Sequence, residues 1–477
     1  MLLAVGVFAL VFLLDFVRVS TSLGGTGRPK RQASVQAYEQ FTGERGGRPE
    51  PVGALREEEY DPDRSFDACA RVGGNLEEEG GEHGSILVHR ASPGPMQYNH
   101  MAMLDQLDNG SLVLVWQFSS GVEGVTDQRL ALSLSADETG RSWSEPRVIP
   151  IDRNKEGGAL WSPVLHSQHG KLLLLFAESS DCVIHKGGVK RFSPGGTIKS
   201  VEWDYSNAAG DFVWTKPKTV YNQSAGDALP KVLANKLIVL RSGELVLPMW
   251  SEKHGSCQKL REKGSAGVLV SSDSGVTWEK RGSLTAPDTW LIENTVVETS
   301  DGSILMLFRT KKGYIYKSTS SDKGFTWSKP RKTHESNPDA KIHALRLSNT
   351  TLALAYNNHK KFQKPHNRGC RTNLDVALSM DEGKSWKRSL RAEKEVDTGL
   401  RSHYPTLYFP GSGCKLFLAY TRFYHESVQA KSKWELFATG EQAKAPLLGV
   451  FLRVLDFSLG ITTWQEKQKP FGEYCTT

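Results

Sequence analysis

Short apolar runs that follow polar turns recur along the chain. Each turn is rich in Asn, Asp, Ser or Gly, and the run after it is shorter than a typical helix. Short apolar runs bounded by turn residues are typical of buried β-strands. The pattern predicts six equivalent strands, which follow turns at Asn109-Gly110, His169-Gly170, Ser242-Gly243, Asp301-Gly302, Asn349-Thr350 and Ser412-Gly413.

A second pattern, S-x-D-x-G-x-T/S-W, occurs between these segments. It matches fully at Ser271–Trp278, Ser320–Trp327 and Ser379–Trp386, and with one extra residue at Ser135–Trp143. The Asp side chain can accept hydrogen bonds from backbone amides across a turn, and Gly accepts a positive φ. The Trp anchors the turn on its sheet with a large apolar side chain. The motif therefore predicts a β-hairpin.

The two patterns alternate along the chain. With two degenerate copies accepted, at Trp214 and Trp464, six hairpin tryptophans interleave with the six turn-strand segments. Each unit then contains four strands, which is one blade. The repeat predicts an all-β fold, a six-bladed β-propeller of four-stranded antiparallel blades. The start of each first strand and the end of each second strand meet on one face, where we expect the functional site.

Composition agrees with a folded, turn-rich chain. Of 477 residues, 24% are charged and 38% hydrophobic, and 45 Gly and 21 Pro favour turns over long helices. We assign residues 84–477 to the propeller. Residues 23–83 are rich in Glu, Gly, Arg and Pro and are predicted to form a flexible polar leader.

The N-terminus indicates entry into the secretory pathway. Residues 1–22 hold an uncharged run, Leu2–Leu14, before the small residues Ser20 to Ser22. This run fits a signal peptide and is short of the roughly 20 residues that span a bilayer. An uncleaved membrane anchor is the alternative. Six cysteines without C-x-x-C spacing and sequons at Asn109, Asn222 and Asn349 agree with an extracellular or lumenal location.

The charge distribution argues against nucleic-acid binding. The formal net charge is +7, and basic residues are spread through β-type segments rather than gathered in a helix or arm. The exception is residues 359–368, HKKFQKPHNR, whose charge density favours an anionic partner. A solvated loop is the alternative interpretation of this stretch.

The blade numbering places polar or aromatic residues at the predicted site face of every blade. In chain order these residues are Asn99, His100, Glu123, Asp127, Trp161, Glu178, Trp250, Glu252, Glu293, Arg309, His343, Asn357, Arg371, His403, Tyr404 and Arg422.

The hairpin motif resembles the Asp-box of sialidases and other BNR-repeat proteins, and the chain from about Tyr98 to Trp464 resembles the sialidase superfamily. The most specific likeness is residues 293–309, ENTVVETSDGSILMLFR. The resemblance implies that Glu293 assists a nucleophile and that Arg309 belongs to a triad of arginines that binds the substrate carboxylate. It likewise implies a triad role for Arg371 and makes Tyr404, in SHYPT, the nucleophile. Asp-boxes lie on the opposite side of the blades and report architecture rather than activity.

A tyrosine nucleophile has a chemical reason. A carboxylate on the anomeric carbon repels an Asp or Glu nucleophile, whereas a neutral phenol activated by a nearby carboxylate adds no such repulsion. Guanidinium groups bind carboxylates bidentately. Asp127, in the loop before the first hairpin, is the predicted acid/base, and Glu123 is the second choice; burial would raise the pKa of such a carboxyl group. This chemistry requires no metal or cofactor.

The likeness fails in blade one. Sialidases usually begin that strand with a triad arginine in an Arg-Ile-Pro-like context, and this chain has Tyr98-Asn99-His100-Met101-Ala102. Arg422, at the end of a blade-six strand, is the candidate replacement for the missing charge. His100 is a candidate acid, base or hydrogen-bond donor. Trp161 either stacks on a sugar ring or fills a structural position.

The leading hypothesis is a secreted exo-glycosidase of the sialidase type, which removes a terminal acidic sugar from a glycan or glycoconjugate through a Tyr404-linked intermediate. One alternative is a propeller that acts on uronate-containing polysaccharide as hydrolase or lyase, with His100 central. Another is a non-catalytic propeller that binds glycans or peptides through residues 360–371. We expect no nucleic-acid partner, and membrane association only if the N-terminal segment is an anchor.

Overall fold

The computed structural model describes residues 77–79, 84–186, 189–206, 212–253, 256–257, 264–359, 362–363, 368–369, 371–393, 400–411, 413–424 and 448–457. All of them lie within one compact unit, residues 61–477. The predicted signal segment, most of the predicted leader and the degenerate hairpin at Trp464 lie outside the described residues. No helix in the described part of the chain is long and apolar enough to cross a membrane.

The first half of the fold holds two N-terminal strands and three blades. The N-terminal strands are β1 (Glu77–Glu79) and β2 (Ser85–Arg90). Blade one contains β3 (Tyr98–Gln106), β4 (Leu112–Ser119), β5 (Arg129–Leu134) and β6 (Arg147–Val148). Blade two contains β7 (Leu160–Gln168), β8 (Lys171–Glu178), β11 (Thr197–Asp204) and β12 (Lys218–Tyr221), with an inserted hairpin of β9 (Val183–Lys186) and β10 (Val189–Phe192). Blade three contains β13 (Lys231–Val232), β14 (Ile238–Val239), β15 (Leu245–Ser251), β16 (Ala266–Ser271) and β17 (Glu279–Leu284).

The second half continues the same order. Blade four contains β18 (Ile292–Glu298), β19 (Ile304–Arg309), β20 (Gly313–Ser320) and β21 (Arg331–Asn337). Blade five contains β22 (His343–Arg346), β23 (Leu352–Asn357), β26 (Leu374–Ser379) and β27 (Lys387–Glu393), with an inserted hairpin of β24 (Phe362–Gln363) and β25 (Arg368–Gly369). Blade six contains β28 (Leu400–Tyr408), β29 (Lys415–Tyr424) and β30 (Gly449–Asp456). The prediction of a six-bladed, all-β propeller is confirmed.

Blade six takes its outer strand from the N-terminal side of the chain. β2 pairs antiparallel with β30, and β1 continues along the same edge of β30. Glu77–Glu79, which the composition assigned to the leader, therefore belong to a sheet. The last blade thus holds the two ends of the described chain together, a closure that the repeat pattern did not predict.

The Asp-box hairpins have the geometry that the motif predicts. In the box of blade three, Asp273 accepts hydrogen bonds from the Thr277 amide at 2.8 Å and from the Thr277 and Ser271 hydroxyls at 2.5 and 2.7 Å. Trp278 donates to the Gly275 carbonyl at 3.0 Å. Blades four and five repeat the contacts of the aspartate, and in blade four Trp327 donates to the Gly324 carbonyl at 2.8 Å. The boxes join the third and fourth strands, on the face opposite the start of each first strand.

The core consists of the apolar faces of neighbouring blades. All eight residues of β4 are buried, and β15, β16 and β26 are likewise buried throughout. A strand whose two faces both pack on other sheets needs a near-continuous apolar sequence. This arrangement explains why the six turn-strand segments read as unbroken apolar runs instead of alternating patterns.

The first strands of four blades contain a bulge at equivalent positions. Pairing shifts register after His100, Trp161, Ile292 and His403 in β3, β7, β18 and β28. The next residue in each case has a positive φ: 57° at Met101, 51° at Ser162, 46° at Glu293 and 59° at Tyr404. A bulge re-aims the side chain it carries. In blades four and six that side chain is one of the predicted catalytic pair.

Candidate active site

Tyr404, Glu293 and Arg309 form one buried hydrogen-bonded group. The Tyr404 hydroxyl donates to Glu293 Oε1 at 2.7 Å, and Arg309 Nη1 donates to the same oxygen at 2.6 Å and to the Tyr404 hydroxyl oxygen at 2.8 Å. Their exposures are only 6%, 5% and 7%. Tyr404 starts from blade six and Glu293 and Arg309 from blade four, so the ring closure brings them together. The structure thus joins Tyr404 to the two predicted residues of the segment 293–309.

The site keeps the phenol neutral and the guanidinium charged. Burial raises the pKa of Tyr404; Arg309 opposes this shift and Glu293 adds to it. Burial also tends to lower the pKa of Arg309, but Asp339, Glu293 and Tyr404 outweigh it and hold that pKa well above its usual value. A protonated phenol that is hydrogen-bonded to a carboxylate can pass its proton to that carboxylate when its oxygen attacks a carbon atom.

Asp339 and Lys341 support this group, and sequence reasoning missed both. Asp339 Oδ1 accepts from Arg309 Nε at 2.8 Å. Lys341 is fully buried and donates to the Pro405 carbonyl and to the Thr406 hydroxyl, directly after Tyr404. Burial lowers the pKa of Lys341 to about 7, although Glu293 opposes the shift. Both residues precede β22, and no motif or spacing marks them in the sequence.

A second layer of the site consists of Arg371, His100 and His403 around the Tyr404 ring. The Arg371 guanidinium lies 5.3 Å from the ring centre, and the His100 ring lies 4.0 Å from it, centre to centre. Arg371 Nη1 is 3.3 Å from His403 Nδ1. Because a guanidinium only donates, His403 Nδ1 is the acceptor and its proton is on Nε2.

Both histidines are neutral. Burial, aided by Arg371, holds the pKa of His100 and of His403 well below the usual value. The Thr421 hydroxyl faces the His403 carbonyl and lies 3.3 Å from His100 Nδ1. The hydroxyl donates to that carbonyl, so His100 Nδ1 carries the proton and donates to Thr421. His100 Nε2 therefore carries no proton. The uncharged His100 ring lies where the sialidase resemblance implies the first arginine of the triad.

Two further carboxylates lie close enough to act on the group: Glu123, the second choice for the acid/base, and Glu252. Glu123 Oε1 accepts from Gln117 Nε2 at 2.9 Å, and its charge raises the pKa of Tyr404. Glu252 Oε2 accepts from the Trp250 indole at 2.9 Å. Burial raises the pKa of Glu252; Arg309 opposes the shift and Glu293 adds to it.

The family comparison decides where the chain belongs. The model of the BNR repeat-like domain matches residues 110–414, well over half of the chain. The chain belongs to the BNR repeat-like domain family. Among curated protein sequences, none matches it.

Solved structures similar to this BNR-repeat protein include several sialidases. The Hadza microbial sialidase Hz136 is 15% identical with a TM-score of 0.56, over 78% of this chain and 68% of that one. NanB sialidase from Streptococcus pneumoniae is 15% identical with a TM-score of 0.54, over 79% and 71%. Trypanosoma rangeli sialidase, with 2,3-difluorosialic acid as a covalent intermediate, is 14% identical with a TM-score of 0.53, over 80% and 59%. At these identities the likeness shows a common fold.

Three predicted residues of the BNR-repeat protein lie elsewhere. Asp127 is exposed, accepts from the Ser120 amide at 3.2 Å, and acts electrostatically on Arg129 and Arg153. Because Asp127 is exposed whereas the charge of Glu123 acts on Tyr404, the structure favours Glu123, the second choice, over Asp127 as the carboxyl group close to Tyr404.

Arg422 and Trp161 have structural roles in this BNR-repeat protein. Arg422 forms an ion pair with Glu393 at 2.6 Å and lies 4.3 Å from the centre of the Phe451 ring, on the other side of β29 from Thr421. It does not replace the missing arginine, because alternate residues of a strand point to opposite faces. Trp161 is 2% exposed, packs in the core and donates to the Ser179 hydroxyl at 2.6 Å. A Trp so buried offers no platform for a sugar.

Proposed function

We propose that this BNR-repeat protein is a retaining exo-glycoside hydrolase that removes a terminal acidic sugar, such as a sialic acid, through a covalent bond to Tyr404. The observation that carries the proposal is the Tyr404 hydroxyl bonded to Glu293 at 2.7 Å and to Arg309 at 2.8 Å. Two likenesses support it: the fold shared with sialidases, and the covalent intermediate of Trypanosoma rangeli sialidase with 2,3-difluorosialic acid.

In the proposed reaction, the Tyr404 oxygen attacks the anomeric carbon while its proton passes to Glu293. The bond to the leaving group breaks, and the departing oxygen takes a proton from Glu123. Glu123 then removes a proton from water, which attacks the same carbon and releases the sugar with retained configuration. Glu293 returns its proton to Tyr404, so the protein ends as it began.

Arg371 is the proposed partner of the substrate carboxylate. Arg309 already bonds Glu293, Tyr404 and Asp339, whereas Arg371 Nη1 donates to the neutral His403. A bidentate guanidinium suits a carboxylate. With His100 neutral, two guanidinium groups face the site where a triad would supply three, so we expect weaker carboxylate binding than a three-arginine site gives.

Location in the secretory pathway is part of the proposal. The Cys182–Cys257 disulfide supports it, because such bonds persist in oxidising compartments.

The test is a panel of fluorogenic sialosides, uronides and neutral glycosides with the parent protein and Tyr404→Phe. We expect release from sialosides that falls at least about a thousandfold in Tyr404→Phe, a loss typical for removal of a nucleophile. The control is Tyr408→Phe, since Tyr408 lies on the same strand but bonds Gln106. Full activity of Tyr404→Phe would contradict the nucleophile assignment.

The His100–Tyr404 contact favours a second candidate, a lyase acting on a uronate-containing polysaccharide. His100 Nε2 would take the proton beside the uronate carboxylate, the carbanion would be stabilised by Arg371, and the electron pair would form a double bond as the glycosidic oxygen leaves with a proton from Tyr404. Elimination yields an unsaturated sugar with new ultraviolet absorbance, and hydrolysis does not. Absorbance that grows on polyuronate and disappears in His100→Ala would establish this candidate over the first.

A further inference from the structure

Two basic β-hairpins project from equivalent places in opposite blades. The β9–β10 hairpin follows the second strand of blade two, and the β24–β25 hairpin follows the second strand of blade five. Loops after second strands lie on the face that carries Tyr404. Blades two and five are three positions apart in a ring of six, so the hairpins flank the candidate active site from opposite sides.

Both hairpins have basic residues and lack acidic ones. Residues 183–192 read VIHKGGVKRF, and residues 359–371 read HKKFQKPHNRGCR, without Asp or Glu. Lys190 is exposed. In the described part of the chain Arg191 Nε is buried without a hydrogen-bond partner. A buried guanidinium nitrogen left without a partner is a donor that an anion can satisfy.

A disulfide joins the first hairpin to blade three. Cys182, at the base of β9, is bonded to Cys257, and the Val183 amide donates to the Ser256 hydroxyl at 3.0 Å. The cross-link holds the hairpin beside the loop that bears Lys253. Asp181, the acidic residue at this place, accepts from Gln223 at 2.8 Å and from Ser180 at 2.9 Å.

Blade four continues the positive charge between the two hairpins. Lys311 and Lys312, after the second strand of blade four, are both exposed. Lys311 lies 3.3 Å from the centre of the Trp290 ring, and it acts electrostatically on Asp339 and Glu252 in the candidate active site. The corresponding loop of blade one instead carries the acids Glu123 and Asp127. Basic residues thus follow the second strands of blades two, three, four and five, and together they form an arc.

We propose that this arc, formed by the β9–β10 hairpin, Lys253, Lys311, Lys312 and Arg371, binds a polyanionic glycan chain whose end enters the candidate active site. An arc that passes beside the site on four blades suits a chain with repeated negative charges better than a single acidic sugar. Repeated charge favours multivalent contact with spaced Lys and Arg side chains and release of counterions. The inference rests on the proposed function for the placement of the chain end, but the binding itself does not require turnover.

The experiment measures binding of immobilised polysialic acid, heparin, neutral dextran and double-stranded DNA to the Tyr404→Phe protein at rising NaCl. We expect binding of polysialic acid or heparin that weakens steeply with salt, and no binding of dextran. K190S/R191S should bind roughly tenfold more weakly at moderate salt, because two of the cationic contacts are lost. The matched control, K329S/K384S, removes exposed lysines at the Asp-box face and should bind as the parent does.

The readouts separate the two proposals. When K190S/R191S is made in the protein that keeps Tyr404, it should have the parent's melting temperature and the parent's turnover of a small fluorogenic sialoside. Polysialic acid as the preferred probe identifies carboxylate chains, and heparin identifies sulfated ones. Equal binding by K190S/R191S and the parent, equal loss in K329S/K384S, or tighter binding of DNA than of either glycan overturns the arc. Salt-dependent glycan binding without sialoside turnover leaves the arc standing and overturns the hydrolase.

Discussion

Glu293 and Tyr404 adopt a backbone conformation that few non-glycine residues do. Their φ values of 46° and 59° lie in the left-handed region, which costs an L-residue roughly 1 kcal/mol or more. Met101 and Ser162 have the same conformation at the same bulge in blades one and two. The bulge is therefore a feature of the repeat. In blades four and six the re-aimed side chains meet at Arg309 and form the candidate active site.

Asp339 is predicted to stabilise the site mainly through Arg309. Both side chains are buried and bonded at 2.8 Å, so Asp339→Ala leaves a buried guanidinium with less compensating charge. We expect the free energy of unfolding to fall by about 3 kcal/mol, with a matching loss of sialoside turnover. Denaturant titration measures the change.

The control for Asp339 is Asp288→Ala. Asp288 pairs with Lys312 at 3.6 Å in a half-exposed position, and such pairs contribute less than about 1 kcal/mol. Equal losses in the two variants would contradict a special role for Asp339.

Lys341 is predicted to make stability depend on pH above neutrality. Its pKa is about 7 in the fold and 10.5 as an ordinary lysine. Between these values the unfolded chain binds more protons, so stability rises with pH across this range. Relative to Lys341→Met, the parent should therefore gain melting temperature from pH 7 to pH 10. Calorimetry at several pH values checks this, and a constant difference between the two proteins would show that Lys341 stays charged in the fold.

At the scale of elements, the Asp-box is a hairpin held by one carboxylate. In the box of blade four, Asp322 accepts from the Thr326 amide at 2.8 Å, the Thr326 hydroxyl at 2.5 Å and the Ser320 hydroxyl at 2.8 Å. These hydrogen bonds lower the pKa of Asp322 to about 2, the Thr326 hydroxyl first among them. Trp327 packs the turn against the hydrophobic cluster that blades three and four share.

Asp322→Ala is predicted to lower the melting temperature in a pH-dependent way. The carboxylate has a pKa of about 2 in the fold and an ordinary value of 3.8, so its contribution is present above 3.8 and is lost as pH falls towards 2. The difference in melting temperature between parent and variant should be constant from pH 7 to pH 5 and shrink from pH 4 to pH 3. Glu279→Ala, which removes an exposed carboxylate paired with Arg281, is the control. A difference that does not change with pH would mean that the box is held by other contacts.

The sequence predicts what is local in this fold and misses what is distant or irregular. The turn residues, the apolar runs and the Asp-box are each defined by a few consecutive residues, so the sequence predicts the blades. Glu293 and Arg309 lie at the two ends of one hairpin, and the family resemblance was enough to propose them as site residues. Asp339 and Lys341 lie in a loop that contains no motif. The bulges that re-aim Glu293 and Tyr404 are not indicated by any sequence pattern. Arg422 was misassigned because a shift of one position along a strand moves a side chain to the other face.

At the scale of the whole molecule, the site depends on closure of the ring. Tyr404 and Glu293 are 111 positions apart and meet because blade six returns to its neighbours. A buried network joins blades five and six to the N-terminal strand: Glu393 accepts from Ser85 at 2.7 Å and from the Tyr420 hydroxyl, and pairs with Arg422 at 2.6 Å. The N-terminal strand that completes blade six thus also supports the blade that carries Tyr404.

A chain that begins at residue 92 is therefore predicted to lose more than a peripheral strand. Without β1 and β2, β30 becomes an open edge and Glu393 loses its hydrogen bond from Ser85. The apolar surface against which Val88 packs becomes exposed to water. We expect a melting temperature lower by on the order of 10 °C than that of a chain beginning at residue 77, with glycosidase turnover lost at a temperature where β-structure persists. Circular dichroism and sialoside release, followed on the same heating ramp, measure the two losses. Ser85→Ala in the longer chain should lie between the two proteins. Identical melting and turnover of the two shortened chains would show that the ring closes through blades one and six without the N-terminal strand.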